Sequence, residues 1–212
     1  AQIGQTPSES VTVPDAVDRV LAEAVTAKIS SPNFHAAAMD GIAVKAEDTF
    51  GASEYRPKRL EVGRQAFYVN TGHVMPPDTN AVIMIEQVNT DDAGQVQIEA
   101  PAYPWQYVRK MGEDIVATEL LFPRNHRITP YCVGALLSAG IFDVPVRRRP
   151  RILILPTGSE LVDWKGLDPA KLKAGQVIES NSYVLGKLAE TYGGTYEKYD
   201  KLNDDLQAIR AA

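Results

Sequence analysis

The sequence predicts a β-rich region followed by an incomplete α/β unit, and three observations carry that expectation. Between Phe34 and Pro101 short apolar runs alternate with Gly, Pro and Asp turns, the pattern of strands rather than helices. At Arg151-Ile152-Leu153-Ile154-Leu155 the pattern changes to a continuous apolar run, read as a strand buried on both faces. A helical stretch from about Ser182 to Thr191 and a second strand from about Tyr196 to Tyr199 follow it, the order of a βαβ unit. Two strands cannot make a covered parallel sheet, so this unit is expected to be a fragment of a larger domain or to need a partner.

The elements follow in order. Pro14 opens a segment in which Val17, Val20, Leu21 and Ala24 recur at helical spacing. A strand is expected from about Val25, ended by Ser30-Ser31-Pro32, because Pro32 biases Ser31 to extended geometry. Strand candidates are then 41–44, 60–62, 66–69, 81–85 and 95–98, the last after the turn Asp91-Asp92-Ala93-Gly94. Strand and turn alternate again from Val108 to Arg127. Thr129 is placed to cap a helix from Pro130 to Ala139, with Pro in its first turn and Gly140 at its exit. Ile141 to Val146 reads as a strand, and Arg147 to Pro150 as a charged joint. The expected domains are a linker-like α+β domain (1–32 with 102–149), a β-rich lobe (33–101) and the start of an α/β domain (150–212).

Composition removes several function classes. The 212 residues suit one or two compact units. With 44% hydrophobic and 23% charged residues the chain is expected to fold as a globular protein rather than stay disordered. A net charge of −5, with no basic block beyond Arg147-Arg148-Arg149, argues against nucleic-acid binding, whose affinity comes mainly from phosphate neutralisation. One cysteine, Cys132, excludes an internal disulfide and a multi-cysteine metal site, and fits a reducing cytoplasm. No apolar run is long enough to span a bilayer, and Ala1-Gln2-Ile3-Gly4-Gln5 has neither an initiator Met nor a signal-peptide pattern, so the chain reads as clipped.

Local chemistry leaves alternatives open. Glu160 ends Thr157-Gly158-Ser159-Glu160 after the apolar strand, at the strand edge where open parallel sheets bind ligands. It is either a Mg²⁺ ligand beside a phosphate or a solvated turn acid. Asn203-Asp204-Asp205 is either the second half of such a cradle or a helix N-cap. Arg109 with Asp114 suits a surface ion pair. Met39-Asp40-Gly41 and Asn70-Thr71-Gly72 fit ordinary turns. His35, His73 and His126 lack metal-ligand spacing, and Cys132 sits in an apolar helix as an inert thiol.

Taken in order, these segments resemble one family. Phe34-His35-Ala36-Ala37-Ala38-Met39-Asp40-Gly41-Ile42-Ala43-Val44 resembles its F-D-N-S-A-M-D-G-Y-A-V motif, and Asn70-Thr71-Gly72-His73-Val74-Met75-Pro76 its M-T-G-A-P-V-P. Ala81 to Glu86 resembles A-V-V-M-x-E, and Arg109 with Gly112-Glu113-Asp114-Ile115 matches R-x-x-G-E-D-I. Thr157-Gly158-Ser159-Glu160-Leu161 is similar to T-G-D-E-L, and Glu179-Ser180-Asn181 to D-S-N. The family is that of the molybdopterin molybdotransferases (MoeA and the gephyrin E domain), matched from about Val13 to Asp205. Ala38, His73 and Ser159 replace the family's Ser, Ala and Asp.

That resemblance implies an enzyme of molybdenum cofactor biosynthesis, a transferase that inserts molybdate into adenylylated molybdopterin and releases AMP with Mg²⁺ helping. It implies a cytoplasmic homodimer whose cleft joins the β lobe of one subunit to the α/β domain of the other. The α/β part would be an incomplete three-layer, MogA-like molybdopterin-binding domain, truncated at its C-terminal side and inactive alone. Carried over by position, Asp40, Thr71, Glu160 and Asp204 would be catalytic, Glu160 and Asp204 the metal ligands, and Arg109, Asp114 and Asn181 substrate-binding. Expected partners are a second copy, the two substrates, the adenylyltransferase that supplies one of them and the acceptor molybdoenzymes, with no nucleic acid or membrane. The alternative is a non-catalytic sensor of molybdopterin or molybdate, or a scaffold module.

Overall fold

The computed structural model describes residues 4–90, 95–202, 207 and 210. The chain is mainly β with few helices. In order it forms β1 (Ser8–Thr12), β2 (Val25–Thr26), β3 (Ala36–Ala37), β4 (Gly41–Val44), α1 (Ala46–Thr49), β5 (Lys58–Leu60), β6 (Ala66–Val69), β7 (Ala81–Met84), β8 (Val88–Thr90) and β9 (Val96–Ile98). Then come β10 (Val108–Arg109), β11 (Leu120–Phe122), α2 (Pro130–Ser138), β12 (Asp143–Arg147), β13 (Arg151–Ile154), β14 (Leu161–Val162), β15 (Val177–Ile178), α3 (Asn181–Thr191) and β16 (Thr195–Lys198). They divide into two compact units, one of 24–124 with 130–143 and one of 1–23, 125–129 and 144–212.

In the first unit β4 is the central strand, antiparallel to β6 on one side and β7 on the other. Its side chains alternate between two cores. Ile42 and Val44 pack with Leu60, Ala66, Ile83, Val96 and Ile98, where β5, β8 and β9 form a second antiparallel sheet. Ala43 faces the other way, into Ala37, Val69, Met75, Val82 and Val108. A strand buried on both faces explains why Gly41-Ile42-Ala43-Val44 has no polar member. Full burial of Ile42 alone contributes about 2 kcal/mol. Gly41 is fixed by close approach: a Cβ there would lie 1.9 Å from the Ile83 carbonyl oxygen.

The second unit contains the expected βαβ arrangement. β13 and β16 are parallel, with Arg151 opposite Thr195 and Ile154 opposite Lys198. α3 lies on this pair, buried at Ser182, Gly186 and Ala189. Gly186 admits the Tyr196 ring, since a Cβ there would be 2.3 Å from it. β14 and β15 form a second parallel pair beside them in sequence.

The structure departs from the sequence expectation in two places. The helix foreseen around Val17, Val20, Leu21 and Ala24 is a single 3₁₀ turn, Pro14–Ala16, and Asp18 at φ 65° turns the chain out of it. Val20 and Leu21 instead bridge Arg127 and Val146, and the Leu21 amide donates to the His126 carbonyl at 2.9 Å. Tertiary strand-like pairing wins over a spacing in which β-branched valines favour extended backbone anyway. The second correction concerns β13, expected to be buried on both faces. Ile154 is buried, but Ile152, Leu153 and Leu155 are 39%, 50% and 37% exposed. Only β16 pairs with β13 among the described residues, and α3 covers one face. Strand edges shift by one to three residues elsewhere, and Ile85 begins a 3₁₀ turn instead of ending β7. The turn at 91–94 lies outside the described residues.

Gly41→Ala is expected to cost about 3 kcal/mol or more in urea unfolding, because the clash is with backbone. Gly134→Ala, in α2 with open space around the new methyl, is expected to leave stability unchanged or raise it by up to about 1 kcal/mol. Equal stability of the two variants would contradict the packing of β4.

Candidate functional site

Asp40 ends the irregular link between β3 and β4, and Thr71 begins the turn after β6. The structure brings these two together. The Thr71 backbone N–H donates to Asp40 Oδ1 at 2.7 Å and the Thr71 hydroxyl donates to the same oxygen at 3.0 Å. The chain reaches this geometry because Gly72, at φ 85°, adopts a left-handed conformation in the turn. The turn is then pinned to β3: the Gly72 N–H donates to the Ala37 carbonyl at 2.8 Å, and the Ala37 N–H donates to the His73 carbonyl at 2.9 Å. On the other side of Asp40, its own carbonyl accepts from the Ile85 N–H at 3.0 Å.

The bond from the Thr71 amide, then that from its hydroxyl, holds the Asp40 carboxyl below its ordinary value of 3.8, against an opposing effect of burial and with a lesser lowering from His73. Asp40 is therefore an ionised acceptor throughout the neutral range. A carboxylate stabilised in this way is a poor proton acceptor, so holding and orienting a partner suits it better than general-base work.

Arg109 sits in β10, whose register places it opposite Ala36 of β3. The 72–75 segment runs along the other edge of β3, through the bridge of Val74 to Ala36. Arg109 and the Asp40–Thr71 pair are thus positioned by the same short strand. One guanidinium nitrogen of Arg109 donates to Asp114 at 2.6 Å, with both side chains about half exposed. An exposed pair of this kind contributes little stability, and it engages one guanidinium nitrogen of Arg109.

In the other unit Glu160 follows β13 at the carboxyl end of the parallel pair. The local chain is tied to the end of β16: Thr157 bridges Leu202, and the Gly158 N–H donates to the Leu202 carbonyl at 3.2 Å. The Glu160 side chain folds back over Gly158, where a Cβ would lie 2.7 Å from Oε1. Gly158 also has φ 142°, so both space and backbone require glycine. The loop after β16 thus comes back to the Glu160 loop through Leu202, but Asp204 lies outside the described residues. No group of three or more His, Cys, Asp or Glu side chains is disposed for a metal among the described residues. Glu160 fits a cation bound by one or two carboxylates, with water and substrate phosphate completing the shell, which is how Mg²⁺ is commonly held. The glycine cradle that a Cβ would fill is the feature that leaves its carboxylate room.

Asn181 is the first residue of α3 and is exposed. Its neighbour Glu179 was named in the sequence only as part of the Glu179-Ser180-Asn181 motif and was given no role. It is 5% exposed; its Oε1 accepts from the Ser182 N–H at 2.8 Å, capping α3, while its Oε2 faces the Lys198 ammonium at 2.8 Å. Burial works to raise the Glu179 carboxyl, but Lys198 and the Ser182 amide together overcome it and hold the group below its ordinary 4.5. The bond to Glu179 raises Lys198 in turn, against burial. Lys198 also lies over the Tyr183 ring at 4.4 Å, and Trp164 meets that ring edge-on at 6.0 Å. Together with Asp163 and Lys165, Glu179, Tyr183 and Lys198 line a cavity of about 280 Å³. The signal was present as the acid before Ser180-Asn181; only the fold shows that this acid is inward.

The chain is similar to known proteins along its whole length. The profile of the MoeA N-terminal region (domain I and II) matches residues 1–140. A protein of Methanocaldococcus jannaschii named for molybdopterin biosynthesis is 35% identical over 96% of this chain and 54% of its own length. A Bacillus subtilis molybdopterin molybdenumtransferase is 31% identical over 98% of this chain and 52% of its own. The crystal structure of a molybdopterin biosynthesis protein from Pyrococcus horikoshii superposes with a TM-score of 0.86 at 32% identity, covering 99% of this chain and 56% of that one. The chain spans about half the length of the curated relatives it matches. No helix among the described residues is long and apolar enough to cross a membrane.

Two outcomes test the electrostatics. In a carbon-detected NMR titration Asp40 is expected to titrate below 3.8, and Thr71→Val to move it upward while the backbone bond keeps it under that value. An unshifted Asp40 in both proteins would contradict the clamp. Lys198→Met leaves a buried, uncompensated carboxylate, so Glu179 is expected to titrate above 4.5 and the fold to lose about 3 kcal/mol at neutral pH. Because the native Glu179 value is depressed, its contribution is present above 4.5 and is lost as pH falls through the folded value, so the gap between the two proteins should narrow in acid.

Proposed function

The chain belongs to the MoeA family, and on that premise we propose that its parent protein inserts molybdate into adenylylated molybdopterin and releases AMP. The observation that carries this reading is the pair of hydrogen bonds from Thr71 to Asp40, because two separate sequence motifs, already packed side by side through β3, meet there side chain to side chain. Ordinary turns would satisfy each motif without bringing an ionised carboxylate to the rim of the β lobe.

The chemistry explains the residue types. Molybdate is a dianion and the adenylylated pterin carries a phosphoanhydride, so bare carboxylates would repel both. Glu160, with Asp204, is the place for Mg²⁺, and when bound this ion would reverse the local sign and polarise the bond to AMP. Asp40 stays ionised and orients its partner as an acceptor. Arg109 keeps guanidinium donors on the side away from Asp114 and meets an oxyanion. Asn181, at the start of α3 beside the Glu179–Lys198 cavity, lies where a polar substrate edge would enter. The segment from Arg151 onward is in this proposal the first part of a three-layer, MogA-like domain, and its exposed Leu153 and Leu155 await the remaining layers. The active assembly is a homodimer in which the β lobe of one copy meets the α/β part of the other.

Glu160→Gln in the whole protein is expected to reduce molybdate-dependent AMP release at least about a hundredfold, since a lost cation ligand removes charge stabilisation in the transition state. Its unfolding curve should stay within about 0.5 kcal/mol of wild type, as an exposed side chain permits. Unchanged turnover would remove Glu160 from the mechanism. Pterin binding without any AMP release in wild type would point to a sensor instead.

A further inference from the structure

His73 occupies a position where the family motif has alanine, and neither the fold nor the proposed reaction has yet used its side chain. Its Nδ1 accepts a hydrogen bond from the Asn70 backbone N–H at 3.3 Å, and its own backbone N–H donates to the Asn70 carbonyl at 2.9 Å. This reciprocal pair closes the turn 70–73 and fixes the ring. With Nδ1 an acceptor, the neutral ring must carry its proton on Nε2. No protein partner of Nε2 is found among the described residues.

The donors around it are already committed. The Asn70, Thr71, Gly72 and His73 backbone N–H groups bond to His73 Nδ1, Asp40, Ala37 and Asn70 respectively. The Thr71 hydroxyl proton points to Asp40, so the one hydroxyl of this turn is already occupied as a donor. Of the turn's own donors, the Asn70 side-chain amide and His73 Nε2–H are left. His73 lies two residues beyond Thr71, whose amide and hydroxyl hold Asp40, and its ring is fixed in the same turn. An anion approaching an ionised Asp40 meets repulsion unless a donor stands beside it.

We infer that His73 Nε2–H is a substrate-binding donor at the Asp40–Thr71 rim, contacting an oxygen of the molybdate oxyanion while Nδ1 locks the ring through the 70–73 turn. The inference rests on the proposed reaction for the identity of the oxyanion.

The test separates the two ring nitrogens. In His73→Gln the side-chain amide sits where Nε2 was and can still donate; in His73→Asn it sits where Nδ1 was and can only close the turn. For the whole protein, the molybdate KM of His73→Gln is expected to stay within about twofold of wild type. For His73→Asn and His73→Ala it should rise about tenfold, with kcat changed less than about twofold, the size expected for one hydrogen bond to a charged group. A wild-type KM in His73→Asn with a raised one in His73→Gln would reduce His73 to a turn cap and overturn the inference. Identical KM values in all four proteins would overturn it too. Calorimetric titration with inorganic molybdate on the same four proteins keeps the two proposals apart. Wild type that binds molybdate with the same ranking but releases no AMP would sink the reaction and leave His73 standing, whereas no binding to wild type would sink His73.

Discussion

One oxygen atom, Asp40 Oδ1, receives both the amide and the hydroxyl of Thr71, and much of the first unit is arranged so that it can. Asp40 must be held at the mouth of β4 while the strand itself dives between β6 and β7. Gly41 permits that dive because any Cβ would strike the Ile83 carbonyl. Ile42, Ala43 and Val44 then anchor the strand in two cores at once, so the carboxylate is carried on a rigid support. Thr71 is brought to it by a turn whose left-handed Gly72 and closed Asn70–His73 pair leave little freedom. Rigid framing matters because preorganised groups do not have to reorient when charge develops.

The second unit uses a different support for its acid. Parallel strands end together, and the loops that leave them are neighbours by construction. The Leu202 carbonyl bonding the Gly158 amide is the visible form of that rule. Below it, the Glu179–Lys198 pair ties the start of α3 to the end of β16, with α3 capped by the same carboxylate. A buried pair is a weak source of stability, but removing either partner leaves the other charge uncompensated. Here it sets the position of Asn181 relative to the sheet.

Much of this was legible in the sequence, and the failures have physical causes. Strands 41–44, 66–69 and 96–98, helix α2 and the β13–α3–β16 order could be read from apolar runs bounded by Gly and Pro. The Asp40–Thr71 contact could not, because residues 31 apart in sequence are joined by strand topology, which periodicity does not encode. Resemblance to family motifs named both residues, but not the bond between them or its effect on the charge of Asp40. Val17 to Ala24 misled because spacing of three and four is shared by helices and by irregular chain with single bridges. Glu179 was passed over because its inward direction depends on where Lys198 ends β16. His73 looked idle because only the fold shows which of its nitrogens is engaged.

In the proposed assembly Asp40 of the β lobe and Glu160 of the α/β part are halves of one reaction centre contributed by two copies. The most direct measurement is complementation between whole proteins carrying Asp40→Asn or Glu160→Gln, each inactive alone, refolded as a mixture and assayed for AMP release. A shared centre predicts recovery of about a quarter of wild-type activity, because half of the dimers are mixed and each holds one intact site. Mixtures as inactive as either variant, despite proven formation of mixed dimers, would contradict it.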